Sequence, residues 1–349
     1  MLDDANILKQ RDPNGALDIV SRQYEQEKYE VKICNADHDG REIRNIVFAG
    51  MGGSALAALL VRKWLKTELP LPFEIFRSYD LPEYVSHNTL VILSSYSGNA
   101  EETLSSLEQA IACDAQIAIM TSGGHLVERA NKNQITYALL PPGLQPRMAV
   151  IDDLRALVKI LINFNAISSD RLSDISSTSD WIRDESSKWL ANVPTDQNYA
   201  KQLAQKIVGK TAIFYGGTLT APVAYKWKIS INENAKNMAF WNELPEANHN
   251  EFIGWTSHPV EKPFVVFDII SSFENPKILR RFEITDRLLS GKRPKAIPIN
   301  LVGDSAIKQL LWGSILADFV GIYLAILNNV NPMPVELIEK LKHELEQII

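Results

Sequence analysis

The chain has 349 residues, 46% hydrophobic and 22% charged, a composition of ordinary globular proteins at a length sufficient for two domains. Its net charge of -6 argues against a general nucleic-acid binder, which would show a basic face, while leaving room for a local basic pocket. Cys34 and Cys113 form neither a metal-ligand spacing nor a disulfide framework. They read as thiols of a reducing cytosol, and Met1-Leu-Asp-Asp-Ala-Asn has no signal-peptide character, so a cytoplasmic protein is expected.

Residues 1–40 read as a polar leader with some helix, over Leu17 to Tyr29. Asn45-Ile-Val-Phe-Ala is a short apolar strand that runs into Gly50-Met-Gly-Gly-Ser54, followed by an apolar helix from Ala55 to Leu65. Further strands are expected at Phe73–Phe76, Thr89–Ser94, Gln116–Met120 and Thr136–Leu140, with helices at Ala100–Cys113 and His125–Ala130. Such alternation predicts an α/β fold with a parallel sheet covered on both faces.

After Pro146-Arg147, the spacing of Leu154, Leu157, Val158, Leu161 and Ile162 predicts an amphipathic helix. Ser168–Ser187, rich in Ser and Asp, reads as a connection between domains. A second strand, turn and helix then follow: Thr211-Ala-Ile-Phe-Tyr, Gly216-Gly-Thr218 and a helix from Pro222. The Gly-Gly-hydroxyl corners at 52–54 and 216–218 suggest two related domains. Strands are expected again at Phe264–Ile270 and Lys295–Val302, and helices at Ser305–Asn328 and Val335–Ile348. The apolar run Leu310–Leu327 is short for a bilayer span and carries Asp318, which is costly in lipid, so it reads as a buried core helix. The organisation expected is a leader at 1–40, a first α/β domain at 41–150, a helical connection at 151–200 and a second α/β domain at 201–349.

Two Gly/Ser turns have the character of phosphate sites. Ser95-Tyr-Ser-Gly-Asn99 ends a strand and opens a helix, where unpaired N–H groups and the helix dipole favour an anion. The hydroxyls of Ser95 and Ser97 can donate to phosphate oxygens; the same residues serve equally as an ordinary helix cap. Gly50-Met-Gly52-Gly-Ser-Ala55 also fits the dinucleotide pattern, but Ile75-Phe-Arg77-Ser78 offers no acidic residue for a ribose, and Arg77 would have to meet a 2′-phosphate instead. Glu233 and His249 stand 16 positions apart and supply a carboxylate and an imidazole, the groups that move protons near neutral pH. Singly, Glu233 fits a solvated helix face, His249 a surface loop, Arg147 an ordinary ion pair and Lys342 the exposed side of the last helix.

Taken in order, Gly50-Met-Gly-Gly-Ser54, Ser95-Tyr-Ser-Gly-Asn99, Thr121-Ser-Gly-Gly124, Pro146-Arg147, Glu233-Asn-Ala-Lys236, Leu244-Pro-Glu-Ala-Asn-His249-Asn, Asn331-Pro and Leu341-Lys342 resemble the bifunctional phosphoglucose/phosphomannose isomerases of the sugar isomerase (SIS) superfamily. The resemblance runs from Gly50 to the final helix. It implies two flavodoxin-like SIS subdomains and a homodimer that converts glucose 6-phosphate and mannose 6-phosphate to fructose 6-phosphate through a cis-enediol, with no cofactor. By it, Glu233 shuttles the proton between C1 and C2, and His249 from the neighbouring subunit assists ring opening. Arg147 stabilises the enediolate and Lys342 contacts the sugar, while Gly53, Ser54, Ser95 and Ser97 hold the substrate, chiefly its phosphate. His38, His87, His125, His249, His258 and His343 form no close ligand pair, which argues against a zinc-dependent mannose-phosphate isomerase. One position departs from the family: Ala100 stands where a Thr usually follows Ser-Gly-Asn, removing a hydroxyl from the phosphate turn. The rival readings are a SIS protein that senses a sugar phosphate without turning it over and a dinucleotide-dependent oxidoreductase.

Overall fold

The computed structural model of the chain describes residues 1–257 and 263–345, and two sheets organise them. The first contains β1 (Lys32–Cys34), β2 (Asn45–Gly50), β3 (Phe73–Phe76), β4 (Thr89–Ser94), β5 (Gln116–Thr121) and β6 (Thr136–Leu139) in the order β1-β6-β5-β4-β2-β3. All its pairs are parallel except β1 with β6. The second contains β7 (Thr211–Gly216), β8 (Ala239–Glu243), β9 (Phe264–Ile270) and β10 (Ile297–Asn300), all parallel, in the order β10-β9-β7-β8. The second order repeats the β5-β4-β2-β3 part of the first, so the echo between the two Gly-Gly corners extends to whole sheets. The expected α/β architecture of helix-flanked parallel sheets is the one that forms.

Side-chain alternation sorts the strands between layers. Ile46 and Phe48 of β2 face a central core, whereas Val47 and Ala49 face helices Glu101–Ala112 and Gly124–Lys132 on the outer side. Phe214 and Phe267 of the second sheet enter the same central core, stacked with ring centroids 5.3 Å apart. Helices Leu56–Trp64, Val150–Asn163, Ala221–Ala235 and Ala306–Leu327 fill the space between the sheets. Helix Ala306–Leu327 satisfies the length and hydropathy of a membrane span, yet 94% of its apolar window is buried among the other elements, as a core helix requires.

The leader differs from the expectation. The leader contains a strand: β1 pairs with β6, and its three residues are too few for a visible alternation in the sequence. In place of one helix over Leu17–Tyr29 there is a helix at Ala16–Ser21 and a 3-10 helix at Gln23–Lys28. The polar stretch 168–187 folds into helices Asp170–Ser176 and Ser179–Ser186, because its hydroxyls find partners within the fold. Ser176 accepts from Arg155 at 2.7 Å and Ser179 donates to the Tyr24 carbonyl at 2.8 Å.

Candidate active site

The Gly50–Ser54 corner leaves the end of β2 and enters helix Leu56–Trp64 through a 3-10 turn at Gly52–Ala55. Only glycine fits at 53, since a Cβ there would stand 2.9 Å from the Arg147 amide nitrogen and 3.0 Å from the Pro146 carbonyl carbon. The Ser95–Asn99 turn follows the neighbouring strand β4, so both corners lie at the C-terminal edge of one sheet. Gly98 has φ +74°, and a Cβ on it would run into the Gly123 carbonyl oxygen. Ser122 donates from its amide and its hydroxyl to the Tyr96 carbonyl at 3.0 and 2.7 Å, and the His125 amide donates to Asn99 Oδ1 at 3.0 Å, fixing the turn.

Ser54 and Ser95 are buried and Ser97 is exposed. Among the described residues their hydroxyl oxygens act as acceptors, from the amides of Tyr96, Ala100 and Asn99 respectively, each at 3.4 Å. Each hydroxyl, accepting through its oxygen, still has a proton to donate. Ala100 occupies the N-cap of helix Glu101–Ala112 without any side-chain cap.

Arg147 lies in a 3-10 turn opened by Pro146 and is 1% exposed. Its guanidinium donates from Nε to Asn234 Oδ1 at 2.5 Å and from Nη2 to the carbonyls of Pro332 and Met333 at 3.0 and 2.9 Å. Nη1 donates to Gln145 Oε1 and to Glu233 Oε2, each at 3.2 Å. Burial lowers the pKa of this cation, and the charges of Glu233 and Asp318 oppose the shift. Glu233 retains 26% side-chain exposure in the last turn of helix Ala221–Ala235, so the carboxylate is ion-paired on one side and reachable from the other.

The polar residues of that helix have a definite use. Lys226 is fully buried, pairs with Asp318 at 2.5 Å and donates to the Arg147 carbonyl at 2.5 Å. Ser230 and Gln23 donate to Asp318 at 2.8 and 2.9 Å. Glu233 therefore does not lie on a freely solvated face, and the sequence reading missed Gln145, Lys226, Asn234 and Lys236. Asn234 and Lys236 stood inside the Glu233-Asn-Ala-Lys236 motif, and they and Lys226 belong to a run of polar residues unusual for a core-packing helix.

His249 and Lys342 lie elsewhere in the chain. Helix Ala221–Ala235 begins after the C-terminal end of β7 and returns to the start of β8, which places Glu233 at the opposite edge of the sheet from the residues following β8. Its 15 residues span about 22 Å at about 1.5 Å per residue. His249 is exposed on the short helix Ala247–Asn250, beyond the far end of β8. Lys342 is exposed on helix Glu336–Leu345, which buries none of its residues, and it pairs with Glu339 at 2.9 Å. One chain thus joins Gly53, Arg147 and Glu233 and sets Ser54, Ser95 and Ser97 on the adjoining corners. Arg77, the candidate for a nucleotide phosphate, stacks on Tyr225 at 5.4 Å. No three His, Cys, Asp or Glu side chains converge as a metal site among the described residues, and His258 lies outside them.

The related corner of the second sheet is filled by the chain itself. Glu274 Oε1 accepts from the amides of Leu219 and Thr220 at 2.7 and 3.0 Å, at the N-terminus of helix Ala221–Ala235. A Cβ on Gly217 would stand 2.3 Å from that oxygen. Burial raises the Glu274 pKa, while the bonds from Thr220 and Leu219 hold it down. An internal carboxylate takes the place at the second corner that a bound anion would take at the first.

Comparison with known proteins supplies independent observations. A family model described as SIS domain matches residues 41–139, and one described as bacterial phospho-glucose isomerase C-terminal SIS domain matches residues 196–345. The chain is 35% identical over 330 residues to the bifunctional phosphoglucose/phosphomannose isomerase of Caldicellulosiruptor bescii, covering 93% of this chain and 96% of that relative. It is 35% identical over 235 residues to the D-glucosamine-6-phosphate 4-epimerase of Sulfolobus acidocaldarius, covering 66% of this chain and 71% of that relative. Among solved structures, the C-terminal domain of glucosamine-fructose-6-phosphate aminotransferase from Francisella tularensis superimposes with a TM-score of 0.66 at 14% identity, covering 94% of this chain and 98% of that one. The last likeness is one of fold.

Proposed function

The chain belongs to the bifunctional phosphoglucose/phosphomannose isomerase family, and we propose that it interconverts glucose 6-phosphate and mannose 6-phosphate with fructose 6-phosphate. The observation that carries this reading is the Arg147–Glu233 pair, 3.2 Å apart and set against the Gly53 corner. Once the sugar ring opens, its carbonyl acidifies the neighbouring C–H bond. Removal of that proton by Glu233 gives the enediol that links aldose and ketose; a hydroxyl proton passes between O2 and O1, and Glu233 returns its proton to the adjacent carbon. Negative charge develops on the enediol oxygen beside Nη1 of Arg147. Because the other bonds of this guanidinium fix it in place, it meets that charge without reorganising. Reach of one base to C2 in either epimer would admit both glucose and mannose phosphates.

We assign the phosphate to Ser54, Ser95 and Ser97 at the first-sheet corners. The second corner, closed by Glu274, supports this choice. His249 stands far from Glu233 in its own chain, which supports a homodimer in which His249 of one protomer assists ring opening in the other. Lys342 is assigned to the sugar near that step. The subdomain division proposed is 41–150 and 201–349 around the connection 151–200, with the leader 1–40 joined to the first sheet through β1, and the protein is placed in the cytoplasm.

The sensor reading explains the serines but leaves the proton carriers without a use. The test is fructose 6-phosphate formation from each hexose 6-phosphate, with Glu233→Gln as control and glucosamine 6-phosphate as a parallel substrate. Turnover that is lost in the Gln variant supports the proposal. Undiminished isomerisation in Glu233→Gln would remove Glu233 as the base, and a wild-type protein that binds without turnover would favour the sensor.

A further inference from the structure

Lys236 ends the helix that carries Glu233. It occupies the C-cap with φ +50°, a left-handed conformation uncommon for a residue with a long side chain. From there its Nζ donates to the carbonyl oxygens of Glu233 and Asn234 at 2.9 and 3.3 Å. These belong to the last turn of the helix, where carbonyls lack helical partners and the dipole favours a cation. The same Nζ donates to the carbonyls of Asn331 and Pro332 at 2.7 and 3.1 Å. Pro332 and Met333 in turn accept from Nη2 of Arg147. Lys236 and Arg147 therefore grip one short segment, 331–333, from two sides, while Glu233 lies between them in the chain of contacts.

We infer that Lys236 is a positioning residue for the Glu233–Arg147 pair, tying the end of the Glu233 helix to the segment on which the Arg147 guanidinium rests. The inference depends on the isomerase reading for its consequence in catalysis, though the tie itself does not. Charged groups acting on Lys236 are Arg147, Glu233 and Glu336, and partial burial together with Arg147 pulls its pKa down to about 8. Above that pH the ammonium becomes an amine with two hydrogens for its four carbonyls and no charge facing the helix end. Arginine at 236 would stay charged at any accessible pH, and methionine would keep the length without a donor.

The experiment measures kcat and KM across neutral to alkaline pH for wild type, Lys236→Arg and Lys236→Met, with amide hydrogen exchange of Asn331 and Met333, the two residues of 331–333 that carry an amide hydrogen, in each. Expected for Lys236→Met is a loss of about tenfold to a hundredfold in kcat with little change in KM, the signature of a misplaced base. Wild type should show an alkaline limb that moves upward in Lys236→Arg while kcat near neutral pH is restored. Exchange at 331–333 should rise about tenfold in Lys236→Met. Wild-type kcat in the Met variant, or one alkaline limb shared by all three proteins, overturns the role in catalysis. Unchanged exchange at 331–333 overturns the tie. Absence of turnover in wild type with both hexose 6-phosphates would instead refute the isomerase reading, leaving the exchange measurement to decide the tie alone.

Discussion

Gly53 lies against the backbone of Arg147, so close that an added Cβ would stand 2.9 Å from the Arg147 amide nitrogen. Both nearest neighbours are backbone atoms, which cannot rotate away as a side chain would. Gly53→Ala must therefore displace either the Gly50–Ser54 corner or the turn that holds Arg147. A displacement near 1 Å at such a site costs about a hundredfold in rate, and the overpacking itself costs about 1–3 kcal/mol in stability. The expected outcome is a folded protein with kcat/KM down by that factor. Activity within error of wild type would show that corner and guanidinium need not be in register.

Ala100 provides a test in the opposite direction. It caps helix Glu101–Ala112 without a side-chain bond, at the place where the family usually carries Thr. A hydrogen bond to a charged group contributes about 1.5–3 kcal/mol, so Ala100→Thr should lower the KM of both hexose 6-phosphates by about tenfold or more. The new hydroxyl can also cap the helix, adding up to about 1 kcal/mol of stability. Steady-state kinetics and thermal melting separate the two effects. Unchanged KM values would mean that the phosphate does not reach this turn.

Glu27 ties stability to pH. It is fully buried, and its carboxyl meets the Thr178 hydroxyl, which itself donates to the Ile175 carbonyl at 2.7 Å. One hydroxyl proton cannot serve both, so the arrangement suits a protonated Glu27 that donates to Thr178. Burial pushes its pKa from 4.5 up to about 8. Between those values the folded chain holds a proton that the unfolded chain has released, so this group's contribution to stability falls as pH rises from 4.5 to 8 and then levels. Glu27→Gln keeps a donor for Thr178 and removes the titration. Its stability relative to wild type should be near equal at about pH 5 and greater by on the order of 2 kcal/mol at about pH 8. Denaturant melts at the two pH values check this; a variant less stable at the higher pH would show that Glu27 is ionised in the folded state.

An element is legible in the sequence to the extent that the groups that form it are close along the chain. Strands β3, β4 and β9 were legible to the residue, because each is a short apolar run bounded by a change of composition. Strand β1 was not, since its existence depends on pairing with β6 about a hundred positions away. The partners of the polar residues in helix Ala221–Ala235 are hidden in the sequence: Lys226 reaches Asp318 and Glu233 reaches Arg147 across 92 and 86 positions. Glu274 gave no local signal, because its part in closing the second corner arises only when β9 lies beside β7. Family resemblance points to Arg147 and Glu233, whereas the residues that hold them are brought together only by the fold.

Lys226 and Asp318 supply the last test. Their side chains are 2% and 1% exposed, and the pair stands beneath the turn carrying Arg147, with Lys226 also donating to the Arg147 carbonyl. Burial lowers the Lys226 pKa, and the charge of Asp318 opposes that shift. Lys226→Met leaves Asp318 buried with only the neutral donors Ser230 and Gln23, and should cost about 3–5 kcal/mol in urea unfolding. Adding Asp318→Leu removes the stranded charge, so the double variant should recover about half or more of that loss. Its kcat should nevertheless stay about tenfold or more below wild type, because the Arg147 carbonyl has lost its ammonium donor and the turn that carries the guanidinium is no longer tied to the helix of Glu233. A double variant with full activity would show that the pair serves stability alone, and one no more stable than Lys226→Met would show that the charges are not what couples these two helices.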